Sequence, residues 1–110
     1  MKAPITTHIL DLQTGQPAAG VTVVLSSADG ALSVSGVTDS DGRINDWGEP
    51  FTLADGQYTL RFDTGAWASA HQRECFFPEV NLSFSVEATR PHYHVPLLLS
   101  PFGYSTYRGS

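Results

Sequence analysis

Apolar and polar residues alternate along most of this chain with a period of two. In the stretch QYTLRFDT, Tyr58, Leu60 and Phe62 are separated by polar residues, and GVTVVL and NLSFSVE repeat the pattern. Alternation of this kind is typical of strands that bury one face against a core. It predicts eight strands, near residues 5–12, 20–27, 31–38, 43–47, 57–64, 80–87, 91–99 and 103–108.

Turn signals fall between these segments. Asp-Gly dipeptides occur at Asp29-Gly30, Asp41-Gly42 and Asp55-Gly56, and TGQP follows the first predicted strand. Asp-Gly accommodates the positive φ angles that tight hairpins require. Short strands joined by such turns predict an all-β Greek-key sandwich, with residues 1–110 forming one domain.

One segment departs from the alternation. TGAWASAHQREC contains good helix formers and no period of two, so it predicts one short helix. Thr64 is the expected N-cap, and Pro78 limits the extent of the helix. The helical stripe is expected to comprise Trp67, Ala70, His71 and Glu74.

Composition and charge narrow the class of protein. Hydrophobic residues make up 41% of the chain, which is enough to build a core. The net charge of −5, without a basic cluster, argues against nucleic acid as a partner, and no stretch is long and apolar enough to span a membrane. MKAPITTHIL has no long apolar run after its lysine, so we expect a cytoplasmic protein, or a periplasmic one if a signal has been removed.

The stretch RPHYHVPLLLSP carries two histidines of the same parity. His92 and His94 should point away from the core, and Pro96 shares their side of the strand. Because proline lacks the backbone N–H, the strand is expected to lie at a sheet edge or to be bulged there. The residues expected to face the core are Tyr93, Val95, Leu97 and Leu99.

Three interpretations of the histidine pair remain open from the residues alone. The histidines are exposed or hydrogen-bonded structural residues, or they offer two imidazoles to a metal ion, or they act in general acid–base catalysis. No acidic or cysteine partner lies at a recognisable metal-ligand spacing. Taken alone, His8 is better explained as a structural histidine than as a catalyst, and Arg43, just after a hairpin turn, as a solvated arginine.

Several stretches together resemble the 5-hydroxyisourate hydrolases, the transthyretin-related enzymes of urate breakdown. They are THILDLQTGQPAAGV, the GR after a turn, HYHVPLLLSP and the terminal YRGS, and in order they span nearly the whole chain. The resemblance implies a transthyretin-like sandwich of two four-stranded sheets with one short helix. It also implies a homotetramer, a dimer of dimers, whose active sites lie in a channel between the dimers.

The resemblance further implies the reaction and its residues. Water would attack the lactam carbonyl of 5-hydroxyisourate and open the ring to 2-oxo-4-hydroxy-4-carboxy-5-ureidoimidazoline, with no metal and no cofactor. Which histidine acts as the base is left open. An added residue beyond Ser110 is expected to intrude on the site. The implied catalytic residues are His8, Arg43, His94 and Ser110, and the implied substrate-binding residues are His92, Tyr107, Arg108 and Gly109.

Two other functions compete with hydrolysis. A transthyretin-like carrier would bind an aromatic small molecule in the same channel, and a structural or adhesive module would use the sandwich without a site. A carrier is expected to present a mostly apolar channel with few polar anchors. Two histidines, an arginine and a polar terminus favour catalysis.

Overall fold

The computed structural model describes residues 2–110 and forms two packed β-sheets. The first sheet comprises β1 (Ile5–Asp11), β2 (Gln16–Pro17), β5 (Arg43–Ile44), β8 (Tyr93–Ser100) and β9 (Gly103–Thr106). The second sheet comprises β3 (Thr22–Ser27), β4 (Ser33–Val37), β6 (Gly56–Phe62) and β7 (Val80–Val86). One helix, α1 (Thr64–Ala70), follows β6.

The strand orders are β2-β1-β8-β9 and β4-β3-β6-β7, and β5 also pairs with β1. β1 and β8 run parallel at the centre of the first sheet, while the other pairs are antiparallel. The predicted all-β sandwich is therefore confirmed. One sheet has the expected four strands, and the other gains a fifth because TGQP, expected only as a turn, contributes β2.

The core lies between the two sheets and contains the positions that alternation assigned to it. Tyr58, Leu60 and Phe62 of β6 are buried. The opposite sheet contributes the predicted core face of β8, which is Tyr93, Val95, Leu97 and Leu99. Burial of these side chains leaves the other face of the first sheet to carry the histidines.

The prediction that the histidine strand lies at an edge or is bulged is wrong. β8 lies inside the sheet, between β1 and β9. Regular pairing with β9 ends at Leu97–Thr106, and an isolated bridge joins His94 to Gly109 further along. Pro96 lies in the gap, where the Thr106 hydroxyl donates to its carbonyl at 2.7 Å. The interruption of the β8–β9 ladder at this point therefore accommodates the N–H that Pro96 lacks.

The helix is where the sequence placed it, but its cap and buried face differ from the prediction. Asp63 caps α1, its Oδ1 accepting from the Ala66 amide at 3.3 Å, whereas the buried Thr64 hydroxyl donates to the Phe77 carbonyl. The buried residues are Thr64, Trp67 and Ala68, and the expected Ala70, His71 and Glu74 are exposed. In so short a helix, the flanking loop decides which face is covered. No helix in the described part of the chain has the length and apolar character needed to cross a membrane.

Candidate active site

Strand pairing brings the predicted histidines and arginine together on the outward face of the first sheet. In the parallel register of β1 and β8, Thr6 lies opposite His94, and His8 lies opposite Pro96. On the other edge of β1, His8 pairs with Arg43 of β5. Residues 8, 43 and 94, distant in sequence, thus share one surface. This alignment of residues across paired strands is set by the sheet topology. It cannot be read from the charge pattern or from the spacing of the residues in the sequence.

Arg43 is positioned by the turn that precedes β5. Asp39 Oδ1 accepts hydrogen bonds from the backbone amides of Asp41, at 2.9 Å, and Arg43, at 3.0 Å. Gly42 has φ of +72°, and its carbonyl accepts from the Ile9 amide at 2.8 Å. A Cβ at Gly42 would lie 2.5 Å from the Ile9 carbonyl oxygen. Only glycine therefore allows this turn to dock on β1 and hold Arg43 beside His8.

Thr6 connects the two histidines of the HYH stretch. Its Oγ1 lies 3.0 Å from His92 Nε2 and 2.8 Å from His94 Nδ1, and the residue is 1% exposed. The imidazole rings lie 6.5 Å apart between centroids, inclined by 21°. Thr6 is two residues from His8 and therefore shares its face of β1, but the sequence analysis assigned it no role. That shared parity, beside a His-x-His strand, was the available signal.

The surroundings lower the pKa of His94 below its ordinary value of 6.5. Partial burial is the largest cause, because it penalises the charged ring, and the positive charge of Arg43 is the next. His8, His92 and Lys2 add smaller effects of the same sign. His94 is therefore neutral, and able to accept a proton, at neutral pH.

The pKa of His8 is also lowered, by burial first and then by Arg43. A hydrogen bond to the backbone of Asp41 opposes this shift, as do the carboxylates of Asp39 and Asp41. The site thus holds two imidazoles that favour the neutral form beside a fixed positive charge. That combination suits proton transfer next to a developing negative charge.

The C-terminal tail runs along His94. The Gly109 amide donates to the His94 carbonyl at 2.8 Å, and a Cβ on Gly109 would lie 2.6 Å from His94 Cδ2. The tail is therefore fixed at the edge of the outward surface that carries His8, Arg43 and His94, which we call the histidine face. Tyr107 is 58% exposed and Ser110 is exposed, both beside this contact. Their roles toward a substrate remain predictions.

Arg108 is not brought together with His8, Arg43 and His94. Its guanidinium lies over the Tyr93 ring, 5.1 Å from the centroid, and Tyr93 belongs to the core-facing positions of β8. Arg108 also lines a groove of about 560 Å³ between the end of the first sheet and β7. Its predicted contact with substrate would require the guanidinium to leave the Tyr93 ring.

Among residues 2–110, no group of three or more His, Cys, Asp or Glu side chains is arranged to hold a metal ion. His92 and His94 instead share a hydroxyl through Thr6. The hydrogen-bonded and the acid–base interpretations of the pair are therefore compatible with each other, since one threonine can orient rings that also exchange protons.

Comparisons with known proteins identify the family to which this chain belongs. The model of the HIUase/Transthyretin family matches residues 5–109. A 5-hydroxyisourate hydrolase of Salmonella dublin is 47% identical over 109 residues, covering 96% of this chain and 80% of the relative. The solved 5-hydroxyisourate hydrolase of Klebsiella pneumoniae is 42% identical, with a TM-score of 0.85, and the match covers 96% of this chain and 98% of that one.

A transthyretin is equally similar in fold. Sea bream transthyretin, solved in complex with thyroxine, has a TM-score of 0.87 at 32% identity, with 97% of this chain and 95% of that chain covered. Backbone similarity therefore does not separate hydrolase from carrier, and function must be argued from the site. The family model and the identity to the Salmonella enzyme show that this chain belongs to the HIUase/transthyretin family.

Proposed function

We propose that the protein hydrolyses 5-hydroxyisourate to 2-oxo-4-hydroxy-4-carboxy-5-ureidoimidazoline by histidine-assisted attack of water on the ring lactam carbonyl. The observation that carries this proposal is the shared face of His8, Arg43 and His94, with both imidazole pKa values lowered. Relatives named 5-hydroxyisourate hydrolase at 47% and 42% identity support the choice of substrate.

The first chemical requirement is a base for water. A neutral imidazole accepts the proton as the water oxygen bonds to the carbonyl carbon, and the same ring later returns a proton to the leaving nitrogen. His94 is suited to this role because one ring nitrogen is held by Thr6 while the other remains for the reaction. His8, on the adjacent strand, is suited to orient the water or the ring of the substrate.

The second requirement is stabilisation of the tetrahedral oxyanion. Arg43 provides a planar guanidinium whose N–H groups match carbonyl oxygens and developing negative charge. Its backbone is held by Asp39 and Gly42, so the side chain starts from a fixed position. Preorganised positive charge lowers the barrier without reorganisation during the reaction.

The carrier alternative is less favoured. A binding channel for an aromatic hormone is expected to be mostly apolar. The centre of this face instead presents two imidazoles and a guanidinium, and the apolar residues Leu10 and Leu98 lie further along it. A carrier would leave these titratable groups to be desolvated by the ligand without compensation.

We further propose that the functional unit is a homotetramer in which the histidine face of one dimer meets that of another. Large hydrophobic side chains are exposed near the start of β9, in the turn before it and in the segment after α1, notably Tyr104 at 40% and Phe102 and Phe76 at 68% each. β7 and β9 are the last strands of their sheets. Exposed apolar surface beside open sheet edges is typical of contacts between subunits.

The decay of freshly formed 5-hydroxyisourate tests the proposal. Urate oxidase generates the compound from urate, and ultraviolet absorbance follows its disappearance with and without the protein. Hydrolase activity predicts faster decay with the protein. Decay at the unaided rate in the presence of the folded protein would contradict it, and thyroxine binding would then be measured to test the carrier alternative.

A further inference from the structure

We propose that the Thr6 hydroxyl couples His94 to His92, so that a proton passes between the two rings while His94 changes from base to acid. Thr6 is thus a positioning residue, and His92 holds the proton during the reaction. The inference rests on the proposed hydrolysis. It begins from the two contacts of Thr6 Oγ1, with His94 Nδ1 at 2.8 Å and His92 Nε2 at 3.0 Å.

The hydroxyl has one proton, and this constrains both imidazoles. When both rings are neutral, Thr6 donates to one ring nitrogen and accepts an N–H from the other. In one arrangement His94 carries its proton on Nδ1, so its Nε2 is bare and can act as a base. In the other arrangement His94 carries its proton on Nε2 and can act as an acid. The tautomer of His94 is therefore tied to that of His92.

The proton transfers balance over the reaction. As the water oxygen bonds to the lactam carbonyl carbon, His94 Nε2 takes a proton from that water. The Nδ1 proton of His94 then moves to Thr6 Oγ1, and the hydroxyl proton moves to His92 Nε2, leaving His94 neutral and His92 charged. When the C–N bond breaks, His94 Nε2 gives its proton to the leaving nitrogen, and the relay runs in reverse.

Two features of the surroundings support a role beyond packing. Thr6 is 1% exposed, so water does not compete for its hydroxyl. One hydrogen-bond partner would satisfy a buried hydroxyl, and Thr6 has two. Arg43 and Lys2 add positive charge around His94, which makes a lasting charge on that ring unfavourable. Moving the charge through Thr6 to His92 places it further along the strand.

The adjacent threonine provides a matched control. Thr7 is also fully buried on β1, and its hydroxyl donates to the Val95 carbonyl at 2.6 Å, but it points toward the core. Thr7→Val removes a buried hydroxyl of the same kind without touching either histidine. Thr6→Ser keeps the hydroxyl, and Thr6→Val removes it with little change in shape.

The kinetic test compares these variants with 5-hydroxyisourate as substrate. Thr6→Val is expected to lower kcat by about tenfold or more with KM changed less than about twofold, because proton transfer is impaired while binding is not. Thr6→Ser and Thr7→Val should keep most of the wild-type kcat. Equal losses in Thr6→Val and Thr7→Val, or failure of Thr6→Ser to retain activity, would overturn the inference.

His92→Gln separates proton uptake from hydrogen bonding and serves if Thr6→Val fails to fold. Glutamine can still hydrogen-bond the Thr6 hydroxyl but cannot take up a proton. The relay predicts a loss of kcat comparable to that of Thr6→Val. Full kcat in His92→Gln would overturn it.

A readout without substrate distinguishes failure of the relay from failure of the proposed function. Nitrogen-15 NMR of the histidine-labelled protein, at a pH where both rings are neutral, shows which ring nitrogen of each histidine carries the proton. The relay predicts that His94 and His92 have linked tautomers that change together in Thr6→Val, with His71, just after α1, as an unaffected reference. An unchanged His94 signal in Thr6→Val would overturn the inference even if the wild-type protein hydrolyses 5-hydroxyisourate.

Discussion

At the scale of single residues, the site depends on close contacts around His94. Gly109 illustrates this, because its amide binds the His94 carbonyl and its α-carbon leaves no room for a side chain beside the ring. Since Thr6 holds the other side of the same ring, His94 cannot turn away freely. A small residue in the tail is therefore as necessary to the geometry as the histidine itself.

Gly109→Ala is expected to lower kcat/KM by about tenfold or more, because the new methyl group would displace either the ring or the tail. Gly103→Ala is the matched control, since a Cβ there meets only Ser100 Oγ at 3.8 Å. Steady-state rates with 5-hydroxyisourate measure both. Full activity in Gly109→Ala would show that the tail contact does not position His94.

The lowered pKa values of His94 and His8 predict a particular pH dependence. Between the folded-state pKa and the ordinary value of 6.5, the unfolded chain binds more protons than the folded one. These two residues therefore contribute less stability to the fold as the pH falls through this window, and they regain that contribution as the pH rises.

For catalysis, the base stays neutral to lower pH, so the acid limb of kcat/KM should have its midpoint below 6.5. A midpoint at or above that value would contradict the assignment.

At the scale of elements, the two-residue strand β5 controls where Arg43 lies. Its preceding turn is held by Asp39 and closed by Gly42, whose carbonyl binds β1. The sequence indicated the turn through its Asp-Gly dipeptide, but not that the strand after it would be so short. A residue carried by so small an element is sensitive to the turn geometry.

Gly42→Ala is expected to destabilise the fold by about 1–3 kcal/mol through backbone strain alone, and further through the clash with Ile9. Gly30→Ala is the matched control, because Gly30 has φ of +78° and a Cβ added there would meet nothing within 4 Å. Urea unfolding should show the larger loss in Gly42→Ala, together with reduced turnover. Equal losses in both variants would mean that docking of the turn on β1 contributes little.

Much of the fold follows from local pattern, and part of the site does not. Alternation correctly separated Tyr93 from His94, because each strand residue has only two faces to choose between. Of the predicted helical stripe only Trp67 is buried, since α1 is covered by a loop. In that loop Arg73 lies over Trp67, 5.5 Å from the ring centroid, and pairs with Asp11. Thr6 gained its role only from the parallel register of β1 and β8. Contacts set by tertiary packing leave no periodic signal.

At the scale of the whole molecule, the proposed tetramer explains exposed apolar side chains that one sandwich leaves unburied. Four copies of an 11.9 kDa chain predict a mass of about 48 kDa by light scattering. Phe102→Ser should reduce the assembled fraction, whereas Val37→Ser, at a similarly exposed position on β4, should not. A monomeric wild-type protein with full activity would contradict the proposed assembly.

The most direct test of the central claim, that the histidine face is a hydrolytic site, is the initial rate of 5-hydroxyisourate decay with His94→Gln. His71→Gln is the control, because His71 lies just after α1 with its Nδ1 2.8 Å from the Trp67 carbonyl. We expect His94→Gln to lower kcat/KM by about a hundredfold or more, as removal of a general base does, and His71→Gln to match the wild type. A folded His94→Gln variant with wild-type activity would contradict the claim.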